Sequence, residues 1–291
     1  MKVKLSTGEK IFYGIDYLLV FLVAASCLYP FIYILSASLS DPFAVTQGKV
    51  LLFPKGFNID AYKNVFSTNE IWIAYRNTIW YVVVGTAVNV FMTVLMAYPL
   101  SRKKFAGRKP INLFVGFTLF FSAPLVPTFL VVKSVGLMNS MWALVIPTAI
   151  DTFYLIIVRS FFQEIPESLF EAAVIDGCND VQILYKIIIF LSGPILAVMV
   201  LFYAVFHWNS YFGALLYLND DQLYPLQMVL RKILIAMDAN AMAGKAYDRK
   251  DLITMGVRYA SIIVSTIPIL CIYPFLQKYF VKGVMIGSIK G

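Results

Sequence analysis

The chain has 291 residues, of which 60% are hydrophobic and only 14% are charged, and its formal net charge is +8. Soluble domains usually carry about 25% charged residues, so this composition excludes a soluble globular fold and indicates a polytopic membrane protein. The basic excess does not indicate nucleic-acid binding, because much of it lies in one short loop. That loop contains Arg102, Lys103, Lys104, Arg108 and Lys109.

Six apolar segments are long enough for the roughly 20 residues that cross a bilayer as a helix. In chain order they are 11–37, 78–100, 110–132, 140–162, 187–208 and 259–277. We therefore expect an all-α membrane domain of six transmembrane helices that includes all of residues 1–291. The first segment is longer than the apolar core of a signal peptide, so we expect it to remain as a transmembrane helix.

The distribution of basic residues predicts the topology. Short cytoplasmic loops are enriched in Lys and Arg, which places the loop 102–109 inside the cell. Both termini and the tail 278–291 are then cytoplasmic, and the longer segments 38–77 and 209–258 are extracellular. Prolines within the spans, among them Pro124, Pro147 and Pro268, predict kinked helices.

The segment 163–186 departs from the charge pattern of a short cytoplasmic loop. It contains five acidic residues and one basic residue, namely Glu164, Glu167, Glu171, Asp176, Asp180 and Lys186. Topology therefore does not account for its composition. An external partner or an ordinary amphipathic connector remain the alternatives.

A short helix is predicted from Pro166 to about Ile175 in this loop. Proline suits a first helical turn, and acidic residues there favour the positive end of the helix dipole. The Asp176-Gly177 pair ends the helix, and Asn179 can cap the next one. One face has small residues that would let the groove of another protein close over it; it comprises Leu169, Ala172, Ala173 and Asp176.

Few polar residues interrupt the apolar spans. Asp151 lies near the middle of the fourth span, where an acidic residue costs about 2.5–3.5 kcal/mol, so it must bond to protein or face a water-filled path. Asn89 is a weaker candidate for the translocation path, since it can also make an ordinary interhelical hydrogen bond. The only histidine, His207, is interpreted as a residue of the outer membrane interface.

Motifs for catalysis or nucleotide binding are absent from the sequence. There is no nucleophile elbow, no His-Glu-x-x-His pair and no phosphate-binding loop. The chain is therefore predicted to have no catalytic residues, to hold no metal and to bind no ATP itself. Cys27, Cys178 and Cys271 imply no disulfide framework.

The acidic loop carries a specific resemblance. Glu171-Ala172-Ala173, three further residues, Gly177, nine residues and then Ile187 resemble the EAA loop of importer-type ATP-binding cassette permeases. The Leu-Pro pair that usually closes this motif is replaced by Ile189-Phe190, whereas Pro194 matches a later proline of the family. This departure concerns the start of the fifth helix.

Further stretches resemble the carbohydrate branch of that family, which includes the smaller membrane subunit of maltose-type importers. They are the turn 136–140 with Pro147, the segment 159–162 and the terminal segment 283–291. The resemblance extends over nearly the whole chain.

The resemblance implies the permease fold of type I importers, with a coupling helix that sits in a cleft of a separate ATPase. The coupling residues would be Glu167, Glu171, Ala172, Ala173, Asp176 and Gly177. It also implies that Gly287, Ser288 and Lys290 in the tail contact the ATPase, and that residues 236–250 reach into a binding protein. Asp151 and Asn89 are the candidates for the translocation path.

The implied assembly lies in a bacterial cell membrane. Its other members would be a second, homologous permease, two ATPase copies that hold ATP and Mg²⁺, and an extracellular solute-binding protein. Carbohydrate, with oligosaccharide favoured, would move inward by alternating access. The alternatives are the same machinery with a non-sugar solute, a proton-driven secondary carrier, and an intramembrane enzyme that uses Asp151.

Overall fold

The computed structural model describes residues 6–121, 123–242 and 256–271, and the side chains of these residues except 236–242. All regular structure in these ranges is helical. The helices are α1 (Thr7–Ser38), α2 (Pro42–Thr46), α3 (Asp60–Ser67), α4 (Asn69–Ser101), α5 (Arg108–Phe120), α6 (Leu125–Ser134), α7 (Trp142–Thr148), α8 (Thr152–Glu164), α9 (Glu167–Ile175), α10 (Asp180–Leu191), α11 (Gly193–Trp208), α12 (Phe212–Tyr217), α13 (Leu226–Met242) and α14 (Gly256–Cys271).

Within the described residues, each predicted span coincides mainly with one or two helices. Among the described residues, α1 and α4 are long and apolar enough to cross a membrane as single helices. The pairs α7–α8 and α10–α11 also qualify if each bent pair is counted as one span, which gives up to four. The shorter helices α5, α6 and α14 occupy the positions of the third and sixth predicted spans.

Two compact units divide the chain. The first unit contains residues 1–69 and 230–267, and the second contains 70–229 and 268–291. In the first unit, α1 begins with a capping box between Ser6 and Glu9. A small core of Ala37, Val45 and Val50 follows the end of this helix, and Tyr33 and Tyr259 pack against that core.

The core of the second unit lies where α4, α8 and α11 pack together, with α9 and α10 at one end. Its members are apolar or aromatic residues with almost no exposed surface. They include Ala97, Leu100, Leu155, Val158, Phe162, Phe170, Ala173, Ile183, Ile188, Met199 and Tyr203. Helices α9 and α10 are therefore parts of the same packed core as the membrane helices.

Three of the predicted spans are broken. The third is divided between α5 and α6, with Pro124 as the residue before α6. The fourth bends by 52° between α7 and α8, after Pro147. The predicted fifth span, 187–208, bends by 83° between α10 and α11, so its long helix, α11, begins at Gly193 rather than at Ile187. Pro194 in the first turn explains this start, because proline lacks the amide hydrogen that a continuing helix would need.

The segment 222–226 is fixed to α4 by three polar side chains. Asn77 donates from Nδ2 to the carbonyl oxygens of residues 222 and 224, at 2.7 and 3.1 Å. The Tyr81 hydroxyl donates to the Leu223 carbonyl at 2.9 Å, and Thr78 Oγ1 accepts from the Leu226 amide at 2.8 Å. Much of the predicted outer segment 209–258 is thus helical and anchored, while residues 243–255 lie outside the described residues.

Helix α9 ends at a glycine in the left-handed region. Gly177 has φ +79°, and the Cys178 amide beyond it donates to the Ala173 carbonyl at 2.9 Å. A Cβ at Gly177 would have no heavy atom within 4 Å. The glycine is therefore required for backbone conformation and not for space.

We expect Gly177→Val to destabilise the chain by about 1–2 kcal/mol, since a left-handed conformation costs an L-residue roughly that much. Gly177→Asn should stay closer to the wild type, because asparagine tolerates this conformation. Thermal unfolding of the purified protein in detergent measures both variants. Equal midpoints for Val and Asn would show that the backbone conformation is not what selects glycine here.

Candidate functional site

Helix α9 forms where the sequence predicted it. Pro166 precedes its first residue, Glu167 lies in its first turn, and Asp176 and Gly177 follow its last residue. A capping box between Asn179 and Gln182 then starts α10, with hydrogen bonds of 2.9 and 3.0 Å. The acidic loop is therefore a helix with defined ends, joined to α10 by a tight turn.

The two faces of α9 have different surroundings. Phe170 and Ala173 are buried in the core of the second unit. At 100° per residue, the opposite face presents Ser168, Glu171, Ala172 and Ile175, and all four are exposed. Ile175 is an apolar side chain with 85% of its surface exposed.

This orientation changes the contact face expected from the sequence. Leu169, Ala172 and Asp176 are exposed, but Ala173 turns inward and packs against the core. Glu171 lies on the exposed outward face. Glu167 is half-buried, and its carboxylate is paired with Arg102 of the same chain. Of the predicted coupling residues, Glu171 and Ala172 on this face, and Asp176 and Gly177 beyond the end of α9, are exposed to a partner protein.

Arg102, the residue that follows α4, joins that helix to α9. Its guanidinium lies 2.8 Å from Glu167 Oε1 and 3.3 Å from the centre of the Phe170 ring. Exposed ion pairs contribute little, about 0–1 kcal/mol, and a cation–π contact contributes about 0.5–2 kcal/mol. The arginine side chain is 19% exposed, so the two contacts together fix α9 to the end of α4.

A groove of about 910 Å³ runs beside α9. Its lining combines both charges with apolar side chains, and includes Arg102, Lys104, Glu167, Glu171, Val174, Ile175, Asp180 and Val181. A surface of this kind can bind an amphipathic segment of another protein, with charges at its edge and apolar contacts between them.

The two candidates for the translocation path have opposite environments. Asp151 is exposed and caps α8, where its Oδ1 accepts from the Tyr154 amide at 3.0 Å. Asn89 has no exposed surface, donates from Nδ2 to the Thr148 carbonyl and accepts at Oδ1 from His207. Asp151 can therefore face a path, while the amide of Asn89 is used inside the second unit.

His207 is buried inside the second unit, so its ring does not meet solvent or lipid as the sequence had suggested. The ring is 1% exposed and its Nε2 lies 2.6 Å from Asn89 Oδ1. The sequence contained a signal that was missed. Asn89 and Thr93 on α4, and Tyr203 and His207 on α11, each have the four-residue spacing that places polar groups on one helix face.

A second cavity of the second unit, of about 1020 Å³, has a largely apolar lining that includes six aromatic rings, and we call it the aromatic cavity. Rings from several helices contribute to it, together with a few polar groups. They are Tyr154, Phe202, Phe206, Tyr211, Phe212 and Tyr217, with Thr148, Asn209 and Ser210. Apolar walls with a small number of polar groups are typical of small-molecule sites.

Over residues 6–121, 123–242 and 256–271, no group of three or more His, Cys, Asp or Glu side chains is placed to hold a metal ion. The predicted contact residues Gly287, Ser288 and Lys290 lie outside the described residues, as do residues 243–250 of the expected binding-protein segment.

Two known proteins are similar in sequence to this chain over most of its length. A permease protein of a polygalacturonan/rhamnogalacturonan transport system, YtcP of Bacillus subtilis (strain 168), is 46% identical over 97% of this chain and 98% of its own. The protein LplC of the same organism is 45% identical over 92% of this chain and 91% of its own.

A solved structure is also similar over almost the full length. It is a bacterial ABC transporter involved in the import of the acidic polysaccharide alginate, and one of its chains is 36% identical with a TM-score of 0.86. The match covers 95% of this chain and 99% of that one. The model of the family described as "binding-protein-dependent transport system inner membrane component" matches residues 71–286. The chain belongs to this family and has the type I importer permease fold.

Proposed function

We propose that the chain is the membrane permease subunit of an ATP-driven, binding-protein-dependent importer of carbohydrate, with oligosaccharide as the favoured cargo. The transport systems named for two of its relatives carry polysaccharides. The protein lies in a bacterial cell membrane as a multi-pass protein. The basic loop 102–109 favours a topology in which both termini are cytoplasmic.

The observation that carries the mechanism is the two-sided environment of α9. One face is packed into the core of the second unit through Phe170 and Ala173, and the other presents Glu171 and Ile175 outward. A helix of this kind can be held by a separate ATPase and can pass the force of that contact into the membrane helices. ATP and Mg²⁺ are bound by the ATPase and not by this chain.

Transmission would follow the packing of the second unit. When ATP closes the ATPase dimer, the contact at Glu171 and Ala172 displaces α9. Phe170 shares a core with α4 and α8, and Arg102 ties α9 to the end of α4, so these helices move with it. Their rotation opens the path alternately to each side of the membrane.

The remaining partners follow from the same assembly. A second, homologous permease completes the path, and the long apolar helix α1, whose residues 7–35 include no buried side chain, offers one surface for it or for lipid. An extracellular solute-binding protein delivers the cargo to the outer segment 209–258. The tail residues Gly287, Ser288 and Lys290 add a contact with the ATPase.

The cargo path would run past the aromatic cavity and the exposed carboxylate of Asp151. Aromatic rings bury the apolar faces of a sugar, and the few polar groups bond to its hydroxyls. Asn89 has no surface to offer to such a path in this conformation. The same machinery with a non-sugar solute is the second candidate, since the cavity lining alone does not fix the chemistry of the cargo.

Uptake driven by ATP separates an importer of this type from a secondary carrier. We expect the reconstituted complex to accumulate oligosaccharide only with binding protein and hydrolysable ATP. Inactivation of the ATPase should abolish uptake, and an uncoupler should leave it intact. Transport that survives ATPase inactivation and collapses with the uncoupler would identify a proton-driven carrier instead.

Glu171→Ala should reduce cargo-stimulated ATP hydrolysis roughly tenfold or more. We expect this carboxylate to pair with a basic residue of the ATPase, and removal of one partner of a buried charge pair costs about 2–5 kcal/mol. Glu164→Ala is the matched control. Glu164 is also an exposed glutamate, but it lies at the end of α8 and not on the outward face of α9. Full coupling in Glu171→Ala, with the complex assembled in the membrane, would contradict the role of α9.

Arg102→Ala should lower the amount of sugar transported per ATP while basal hydrolysis persists. The substitution removes the ion pair with Glu167 and the contact with the Phe170 ring, so α9 is less firmly attached to α4. Lys103→Ala, at an exposed position beside it, controls for the loss of basic charge. An equal ratio of transport to hydrolysis in both variants would exclude this path of transmission.

A further inference from the structure

The break in the fourth apolar segment exposes backbone polar groups inside the second unit. In a continuous helix, the Asp151 amide would donate to the carbonyl of residue 147, and the Thr148 carbonyl would accept from the amide of residue 152. The 52° bend between α7 and α8 removes both bonds. Backbone groups that lose their helical partners inside a protein need other partners, because an unpaired buried polar group is costly.

Side chains from two other helices supply those partners. Asn89 of α4 donates from Nδ2 to the Thr148 carbonyl. Tyr203 of α11 accepts from the Asp151 amide at its hydroxyl, at 3.3 Å. One side of the break is thus bonded to α4 and the other side to α11.

A second layer of hydrogen bonds fixes these two side chains. His207 of α11 lies 2.6 Å from Asn89 Oδ1, and Thr93 of α4 lies 2.8 Å from the Tyr203 hydroxyl. Since Asn89 donates through Nδ2, its Oδ1 accepts from His207 Nε2. Since Tyr203 accepts from Asp151, its own hydrogen is available for Thr93 Oγ1. We refer to Asn89, Thr93, Tyr203 and His207 as the polar clamp.

The polar clamp is fully enclosed. Its four side chains are at most 1% exposed. The backbone around it allows the close approach, because a Cβ at Gly85 of α4 would lie 2.5 Å from His207 Nε2. Glycine at this position therefore makes room for the histidine ring against α4.

We propose that the polar clamp positions the break between α7 and α8 for transport, so that α8 moves together with α4 and α11 as one body. This inference rests on the proposed function, in which the ATPase moves α9. Helix α8 leads directly into the turn before α9, and its other end is the break. An unrestrained break would let α8 pivot there and absorb the displacement, whereas the polar clamp passes the displacement on to α4 and α11.

The structural part of the proposal is tested by hydrogen exchange in the assembled complex. Tyr203→Phe removes one hydroxyl and leaves the Asp151 amide without its partner. A peptide that includes residues 149–152 should then exchange roughly tenfold faster, the change expected when a buried group loses its bond. Tyr98→Phe is the matched control, because this buried hydroxyl on α4 has no hydrogen-bond partner among the described residues.

The functional part is tested by the sugar transported per ATP hydrolysed. Tyr203→Phe should lower this ratio by roughly fivefold to tenfold and leave basal hydrolysis and complex assembly unchanged, while Tyr98→Phe matches the wild type in both assays. If Tyr203→Phe does not assemble, Thr93→Val takes its place, with Thr93→Ser as the variant that keeps the hydroxyl and restores the ratio.

Three results would overturn the proposal. Unchanged exchange in Tyr203→Phe would show that the hydroxyl does not hold the break, and faster exchange with an unchanged ratio would show that holding the break does not serve transport. If Thr93→Ser lowers the ratio of sugar transported to ATP hydrolysed as much as Thr93→Val does, the Thr93 hydroxyl is not what supports transport. Absence of ATP-driven transport in the wild type would instead refute the proposed function, so the two failures are distinguishable.

Discussion

The attachment of α9 by its inner face is the interaction on which the rest of this structure depends. Phe170 and Ala173 enter the same core as α4 and α8, so the helix cannot shift without moving the membrane helices beside it. Protein interiors are packed as densely as organic crystals, and such packing passes a displacement on instead of absorbing it. The Arg102 contacts with Glu167 and Phe170 add a polar link to the same attachment.

The break between α7 and α8 is compatible with this role because its backbone groups are paired. Pro147 precedes the bend of the fourth segment, and Pro194 lies in the first turn after the bend of the fifth. Each break removes helical hydrogen bonds, and the freed backbone groups must find other partners where they are buried. At the break between α7 and α8, side chains of α4 and α11 supply the missing hydrogen-bond partners. The break is therefore bonded to two other helices.

The sequence predicted well where the helices lie, but poorly which of their side chains are buried. Hydropathy located the apolar spans, and the proline, acidic and glycine positions around 166–177 located α9, because these signals are local. The inward turn of Ala173 was not predictable, since alanine suits both a packed face and a docking face. Arg102 was interpreted only as a topology signal, and His207 only as an interfacial residue, because their partners are distant in sequence. Tertiary contacts decide such roles, and a single sequence does not contain them except as the four-residue spacing of polar groups.

The length of α9 has a consequence for how an assembly of this kind is built. A helix of nine residues is about 13 Å long, and its outward face presents only four side chains. Stable protein interfaces usually bury about 800 Å² on each partner, several times more than such a face offers. A partner that binds this helix must therefore make most of its contacts with other surfaces of the assembly, so the helix contributes little to the strength of binding.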